Sequence, residues 1–177
     1  MKKMKRVELH LHTKLSDDIS VIDPKEALEY ALAHSHKAVA FTNLNNVQDF
    51  PAIANTYKRC GDSSLKVIYG AELRYISEDG KEPYGFTILV KNPSGIKELY
   101  TIISSINNNG ADDLVNLDIV KQNRQNLLIG SCGNAGELYE AVACGRDPEK
   151  TAEFYDYFEI YPTEDEAERG IYKKFTN

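Results

Sequence analysis

The hydrophobic pattern switches repeatedly between short apolar or alternating runs and longer stretches of helical period. "VELHLH" (7–12) alternates, which predicts a strand with His10 and His12 on one face. "IDPKEALEYALAH" follows, with Asp23 as N-cap, Pro24 at the first helical position and Glu26 three residues past the cap, predicting a helix from Pro24 to His34. "KAVAFT" (37–42) fits a buried strand, "NLNNVQD" a polar loop, and Pro51 to Cys60 a helix stopped by Gly61. "LKVIYGAEL" (65–73) and "FTILVK" (86–91) are the next strands, and Asp79-Gly80 between them signals a hairpin. Asn92-Pro93 then caps a helix whose Ile96, Leu99, Tyr100, Ile103 and Ile106 share one face.

The second half repeats the scheme less regularly. "NNNGADD" (107–113) reads as a loop, "LDIVKQNR" as a short helix, and "NLLIGS" (126–131) as a strand leading into the helix "AGELYEAVACG". Asp147-Pro148 opens another helix, "FEIYP" (158–162) is a last short strand, and "TEDEAERGIYKKF" a terminal helix. No repeat, low-complexity tract or linker divides residues 1–177, so one domain is expected. Alternating strands and helices predict a parallel α/β architecture, open sheet or barrel, with functional groups at the carboxyl ends of strands. His10 and His12, Thr42-Asn43, Glu72 and Ser131-Cys132 all fall at such ends.

Composition narrows the function classes. With 177 residues and 42% hydrophobic content, the chain can build a proper core. A net charge of −6 argues against a broad positive surface, so strong direct binding to DNA is not expected and any contact must be local or made by a partner. Cys60, Cys132 and Cys144 are widely spaced and odd in number, which fits a reduced, cytoplasmic protein. The basic start "MKKMKR" runs into Glu8 and two histidines where a signal peptide needs an apolar stretch, and no run reaches transmembrane length.

The chemistry concentrates in "VELHLHTKLSDD" (7–18). Neutral imidazoles and carboxylates suit zinc, manganese or iron, and two histidines with one carboxylate leave coordination positions open for water or a phosphate oxygen. An H-x-H pair also occurs as an ordinary hydrogen-bonded pair; Asp17 nearby and Glu72 at a strand end tilt the balance toward metal. Other features have plainer readings. His34 and His36 suit the C-terminal dipole of the first helix. Cys132 reads as a buried small residue rather than a nucleophile, "TEDEAE" (163–168) as a solvated first turn, and Tyr155, Tyr157 and Tyr161 as core and rim aromatics.

"ELHLHTKLSD" resembles the opening motif of the PHP (polymerase and histidinol phosphatase) domain, most closely that of PolC-type bacterial DNA polymerase III alpha subunits. The resemblance continues in order through "HKAVAFTN", "KVIYGAEL", "TILVKN", "LLIGSCGNAGELYEAV" and "FYDYFEIYP". It implies a distorted TIM-like barrel of β-α units with several divalent metals at the strand carboxyl ends. Carried over residue by residue, it implies metal ligation by His10, His12, Asp17 and Glu72. The family's T-D-H motif stands here as Thr42-Asn43-Leu44, a further histidine falls at Gly85, and the family cysteine falls at Gly133, beside Cys132. The sequence reaches Asn177 before a late Asp-x-His motif, so a truncated barrel lacking its last strands is expected. Residues 74–86 cross as a hairpin where PolC-type polymerases carry an exonuclease insertion, and no polymerase region follows.

Three readings follow from the resemblance and its departures. The leading one is a degenerate PHP-like domain with little or no catalysis, acting as a scaffold or interaction module toward replication proteins and holding at most one divalent metal. The alternative is a single-metal phosphoesterase on His10, His12, Glu72 and Asp17, hydrolysing a phosphomonoester or a nucleic-acid end. The third is self-association, or a partner that supplies the missing strands at an exposed barrel edge.

Overall fold

The structure is a computed structural model, and it describes residues 5–16, 20–60, 64–77, 83–108 and 113–175. Five strands, β1 (Val7–Leu11), β2 (Ala38–Phe41), β3 (Lys66–Ile76), β4 (Pro83–Val90) and β5 (Leu127–Gly130), form one sheet in chain order. Seven α-helices accompany them among the described residues: α1 (Pro24–Ala33), α2 (Phe50–Cys60), α3 (Pro93–Asn108), α4 (Leu117–Gln122), α5 (Glu137–Ala143), α6 (Pro148–Ala152) and α7 (Glu166–Lys174). The caps read from the sequence at Asp23, Asn92 and Asp147 are in place, the Asn92 Oδ1 accepting from the Ser94 N–H at 3.0 Å, and Asn116 and Asp165 add two more. Asp23, Asn116, Asp147 and Asp165 each accept a backbone N–H in the first turn of the helix they precede.

The sheet is mixed rather than wholly parallel. β1, β2 and β3 run parallel, while β4 pairs antiparallel with both β3 and β5. The reversal follows from the short link between β3 and β4: a parallel neighbour needs a crossover of a dozen residues or more, whereas a hairpin forces antiparallel pairing. Its Asp79-Gly80 turn lies outside the described residues. The TIM-like barrel implied by the resemblance is not seen in closed form: among the described residues the sheet is open, with β1 and β5 as its two outer strands.

β3 is the hinge of this sheet. Its first half, Lys66 to Tyr69, pairs with β2, and its second half, Gly70 to Ile76, pairs with β4. Gly70 sits at the changeover, where a Cβ would lie 2.3 Å from the Ile88 carbonyl oxygen. Two apolar clusters consequently form. One packs α1, α2, β2 and Leu65 around Leu28, Phe41 and Ile53; the other packs α3, α4, α5 and the β3–β4–β5 half around Leu73, Phe86, Leu99 and Ile102. On β3, Ala71 and Leu73 turn into the second cluster, so Glu72 between them points to the opposite face.

"FEIYP" is not a strand. Residues 157–161 run extended beside β5 but make a single parallel bridge, Tyr157 to Gly130, and the Glu159 N–H donates to the Ser131 hydroxyl (3.0 Å) instead of to a ladder carbonyl. Tyr157, Glu159 and Tyr161 share hydrogen bonds toward His10, whereas Phe158 and Ile160 are exposed.

Candidate metal centre

β1 carries a register shift between Glu8 and Leu11, an irregularity of the kind that re-aims side chains beside functional sites. His10 lies within it, and His12 follows just past the strand end. Their rings meet edge to face, with Nε2 to Nε2 at 3.2 Å. Glu72 reaches the same point from β3: its Oε2 is 2.8 Å from His10 Nε2 and 3.0 Å from His12 Nε2. Three donors on two strands therefore converge, with side chains 10–17% exposed.

Cys132 closes the cluster from beyond β5. It adopts a left-handed conformation (φ 55°), and one donor atom each from His10, Glu72 and Cys132 lies within 4.8 Å of the others. Its sulfur also fills space over Gly85, where a Cβ would sit 3.0 Å away. Gly133, the position of the family cysteine, is covered by the Tyr161 ring, whose nearest carbon would be 2.5 Å from an added Cβ.

Glu159 is the residue that sequence reasoning missed. Its Oε2 lies 2.8 Å from His10 Nδ1, and Thr87 Oγ1 donates to its Oε1 at 2.9 Å. The Tyr157 and Tyr161 hydroxyls add bonds of 3.3 Å. Glu72, Thr87 and Gly130 lie on one rung of the sheet, and the bridge from Gly130 to Tyr157 extends it. Gly130 is required there, because a Cβ would be 2.3 Å from the Tyr157 ring. The alternation of Tyr157, Glu159 and Tyr161 was the available signal: a carboxylate between two phenols on one side of an extended segment.

The histidines and carboxylates of the cluster shift one another's titration. Burial disfavours a charged His10, but the hydrogen bonds and charges of Glu159 and Glu72 outweigh it and raise its pKa to about 10. Burial likewise works against ionised Glu72, yet His10 and His12 pull its pKa down to about 2. Glu159 is also held low despite its burial, chiefly by His10. The Cys132 thiol is pushed well up, first by burial and then by the charges of Glu72 and Glu159. Without a metal, a proton on His10 must hold the two carboxylates together.

The donor set fits a divalent ion. With bonds of about 2.0–2.2 Å, a tetrahedral ion holds its N and O ligands roughly 3.3–3.6 Å apart, and the observed spacings of 2.8–3.2 Å need only slight expansion. Glu159 on Nδ1 occupies the place from which an outer carboxylate would orient the imidazole of a bound metal, with Nε2 turned toward the other donors. A cleft of about 340 Å³, lined by Glu8, His10, His12, Glu72 and Tyr161, opens onto the donors.

Of the four residues predicted as ligands, the structure brings His10, His12 and Glu72 together; Asp17 lies outside the described residues. Asn43, at the T-D-H position, is buried and engaged elsewhere. Its Oδ1 accepts from the Thr13 N–H (2.7 Å), and its Nδ2 donates to Thr13 Oγ1 (3.0 Å), tying the exits of β1 and β2 together. His34 behaves as read, capping α1 with Nδ1 2.9 Å from the Tyr30 carbonyl.

An open α/β sheet thus gathers imidazoles and carboxylates on one face. The PHP domain model matches residues 8–166, and the chain belongs to that family. It is 40% identical over 74 residues to a DNA polymerase III PolC-type from Oceanobacillus iheyensis, covering 42% of this chain and 5% of that protein. Against the Thermotoga maritima PolC-type enzyme it is 36% identical over 93 residues, covering 49% and 7%. The chain therefore spans only about a twentieth of the length of these relatives. Among solved structures, it is similar to a protein named as a metal-dependent phosphoesterase from Bifidobacterium adolescentis (TM-score 0.44, 18% identity, 58% of this chain and 33% of that one). An amidohydrolase from Chromobacterium violaceum gives TM-score 0.45 at 22% identity over the same shares. Neither likeness is close enough to carry function. No helix among the described residues is long and apolar enough to cross a membrane.

Proposed function

We propose that this PHP domain holds a single divalent ion on His10, His12 and Glu72, with Cys132 alongside, and acts as a single-metal phosphoesterase on a phosphomonoester or a nucleic-acid end. The observation that carries the reading is the Glu159–His10 pair: a buried carboxylate braced by Thr87, Tyr157 and Tyr161 to hold one imidazole in one orientation. A decayed site would gain nothing from so many buried polar groups, each costly unless paired. A bound divalent ion would supply Lewis-acid polarisation and a nucleophile at neutral pH. The protein's part is to fix the donors, keep His10 Nε2 free, and leave an open cleft above them. Among the described residues the cleft is lined by Glu8 and Glu72 and by no lysine or arginine, so there a phosphate would be drawn by the ion.

Asn43 and Gly85 favour a second reading, in which the domain keeps its ion but serves as a scaffold toward replication proteins or a second copy. Asn43 replaces the acidic residue of the T-D-H motif, Leu44 beside it and Gly85 stand where the resemblance implies further histidines, and a multinuclear centre lacks those donors. Phosphate release from p-nitrophenyl phosphate and from a 5′-phosphorylated oligonucleotide, with zinc or manganese added, separates the two. Turnover abolished by His12→Ala supports the hydrolase. Full metal loading with no turnover on either substrate supports the scaffold, and turnover that survives His12→Ala refutes the assigned site.

A further inference from the structure

The end of the sheet opposite the metal centre carries a different charge. Arg6, Lys37 and Lys66 begin three neighbouring parallel strands, and their backbones are bonded in series: the Lys37 N–H donates to the Arg6 carbonyl (2.7 Å) and the Lys66 N–H to the Lys37 carbonyl (3.0 Å). By register Lys66 lies level with Ala38 and Val7, one residue beyond Arg6 and Lys37, so the three cations crowd this end of the sheet within about two strand spacings of about 4.8 Å without sharing one rung. Lys5 adjoins Arg6, and the last turn of α2 brings Lys58 and Arg59 to the same end, where the Tyr57 hydroxyl bonds the Leu65 carbonyl at 2.6 Å. All six side chains are exposed. Among the described residues only Arg6 has a carboxylate partner, Glu8. Among the described residues the end stays net positive when Glu8 is counted, in a chain whose net charge is −6.

Like charges side by side on neighbouring strands repel, so the Arg6 and Lys37 pair lowers stability. Lys58 and Arg59 complement the α2 dipole, but the strand-end cations have no such role. We propose that this end of the sheet is a contact surface for the phosphate backbone of nucleic acid. Lysine is depleted from protein–protein interfaces, whereas it is a standard phosphate contact. An exposed aromatic pair lies beside Arg6: Tyr30 and His34 of α1 stack with ring centroids 3.8 Å apart, and Tyr30 shares a surface hollow with Arg6 and His36. Cations flanked by exposed rings suit a single strand, whose bases can stack while its phosphates pair. The inference stands independently of the metal, because the surface and the donor cluster lie at opposite ends of the strands.

The test is fluorescence anisotropy of a short fluorescein-labelled single strand and its duplex, titrated with the full chain in chelator so that the metal site takes no part. Binding should be micromolar or weaker at low salt and should weaken steeply as salt rises, since each phosphate contact adds about 0.7 (single strand) to 0.9 (duplex) to the log–log slope. Lys37→Glu/Lys66→Glu should raise Kd at least about tenfold and flatten the slope by roughly two contacts. Lys121→Glu/Lys150→Glu changes the net charge equally beside Tyr75, at the far end of β3, and should have a much smaller effect. Equal losses in both variants would overturn the proposal, as would no binding of either oligonucleotide at low salt. Binding to phosphatidylserine vesicles without binding to oligonucleotide would overturn it in favour of a membrane. Circular dichroism of both variants keeps a folding defect from passing as a binding defect.

Discussion

Replacing Glu159 by glutamine should weaken metal binding without touching a ligand. The side chain keeps its shape and can still bond Thr87 and one imidazole proton, but it loses the charge that lies 2.8 Å from His10 Nδ1. Removing such an outer carboxylate from a metal-bound histidine typically costs about 10–100-fold in affinity. That corresponds to roughly 1.4–2.7 kcal/mol. Burial puts Glu159 toward the upper part of this range, because its side chain is only 9% exposed and water screens little of the interaction. Glu159→Ala should do worse, since Thr87, Tyr157 and Tyr161 would lose their shared acceptor. Competition against a chromophoric zinc chelator reads the affinity directly, with near-ultraviolet circular dichroism confirming the fold. An affinity unchanged within about twofold in both variants, while His10→Ala abolishes binding, would refute the orienting role of Glu159.

Proton competition gives a second signature. His10 keeps its proton to about pH 10 when no ion is bound, so an ion must displace it and zinc affinity should rise as pH rises. Between about pH 6 and 8 the rise is roughly tenfold per unit for His10 alone, and nearer a hundredfold if Cys132 also binds as thiolate; a flat profile contradicts the site. Asp49 is fully buried, and burial raises its pKa to about 6 against 3.8 for the free residue. Its contribution is therefore complete below about 4 and is lost as pH rises through 6; above that, Asp49→Asn should stabilise the chain by about 1–3 kcal/mol in urea melts. Destabilisation by Asn at pH 8 would show that the carboxylate has a partner it needs. Gly133→Ala should cost about 2–4 kcal/mol, because φ is +52° and the new methyl meets the Tyr161 ring. A melting temperature within a degree or two of the parent would contradict that packing.

Local pattern carried most of the fold. Periodicity, caps and the Asp79-Gly80 signal located five strands and seven helices with ends off by a few residues, because those features depend on neighbours in sequence. The open, mixed sheet was less legible. Where β3 leaves β2 and joins β4 depends on tertiary contacts around Gly70. "FEIYP" alternates like a strand, yet its backbone is held by Ser131 and one bridge. The site divides in the same way. His10 and His12 stand two apart on one chain segment and Glu72 sits on the sheet face they share, so strand geometry found all three. Glu159 lies 149 residues from His10, and only the crossing of its segment over the strand ends joins them. Cys132 needed a left-handed residue to reach the donors, which no spacing rule foretells.

The most direct test of the metal centre is elemental mass spectrometry of the chain, purified without histidine tag or chelator, beside a His10→Ala/His12→Ala double variant. The account predicts close to one zinc, manganese or iron per chain, lost in the variant. No metal in the parent after incubation with each ion, or equal loading of parent and variant, would contradict it.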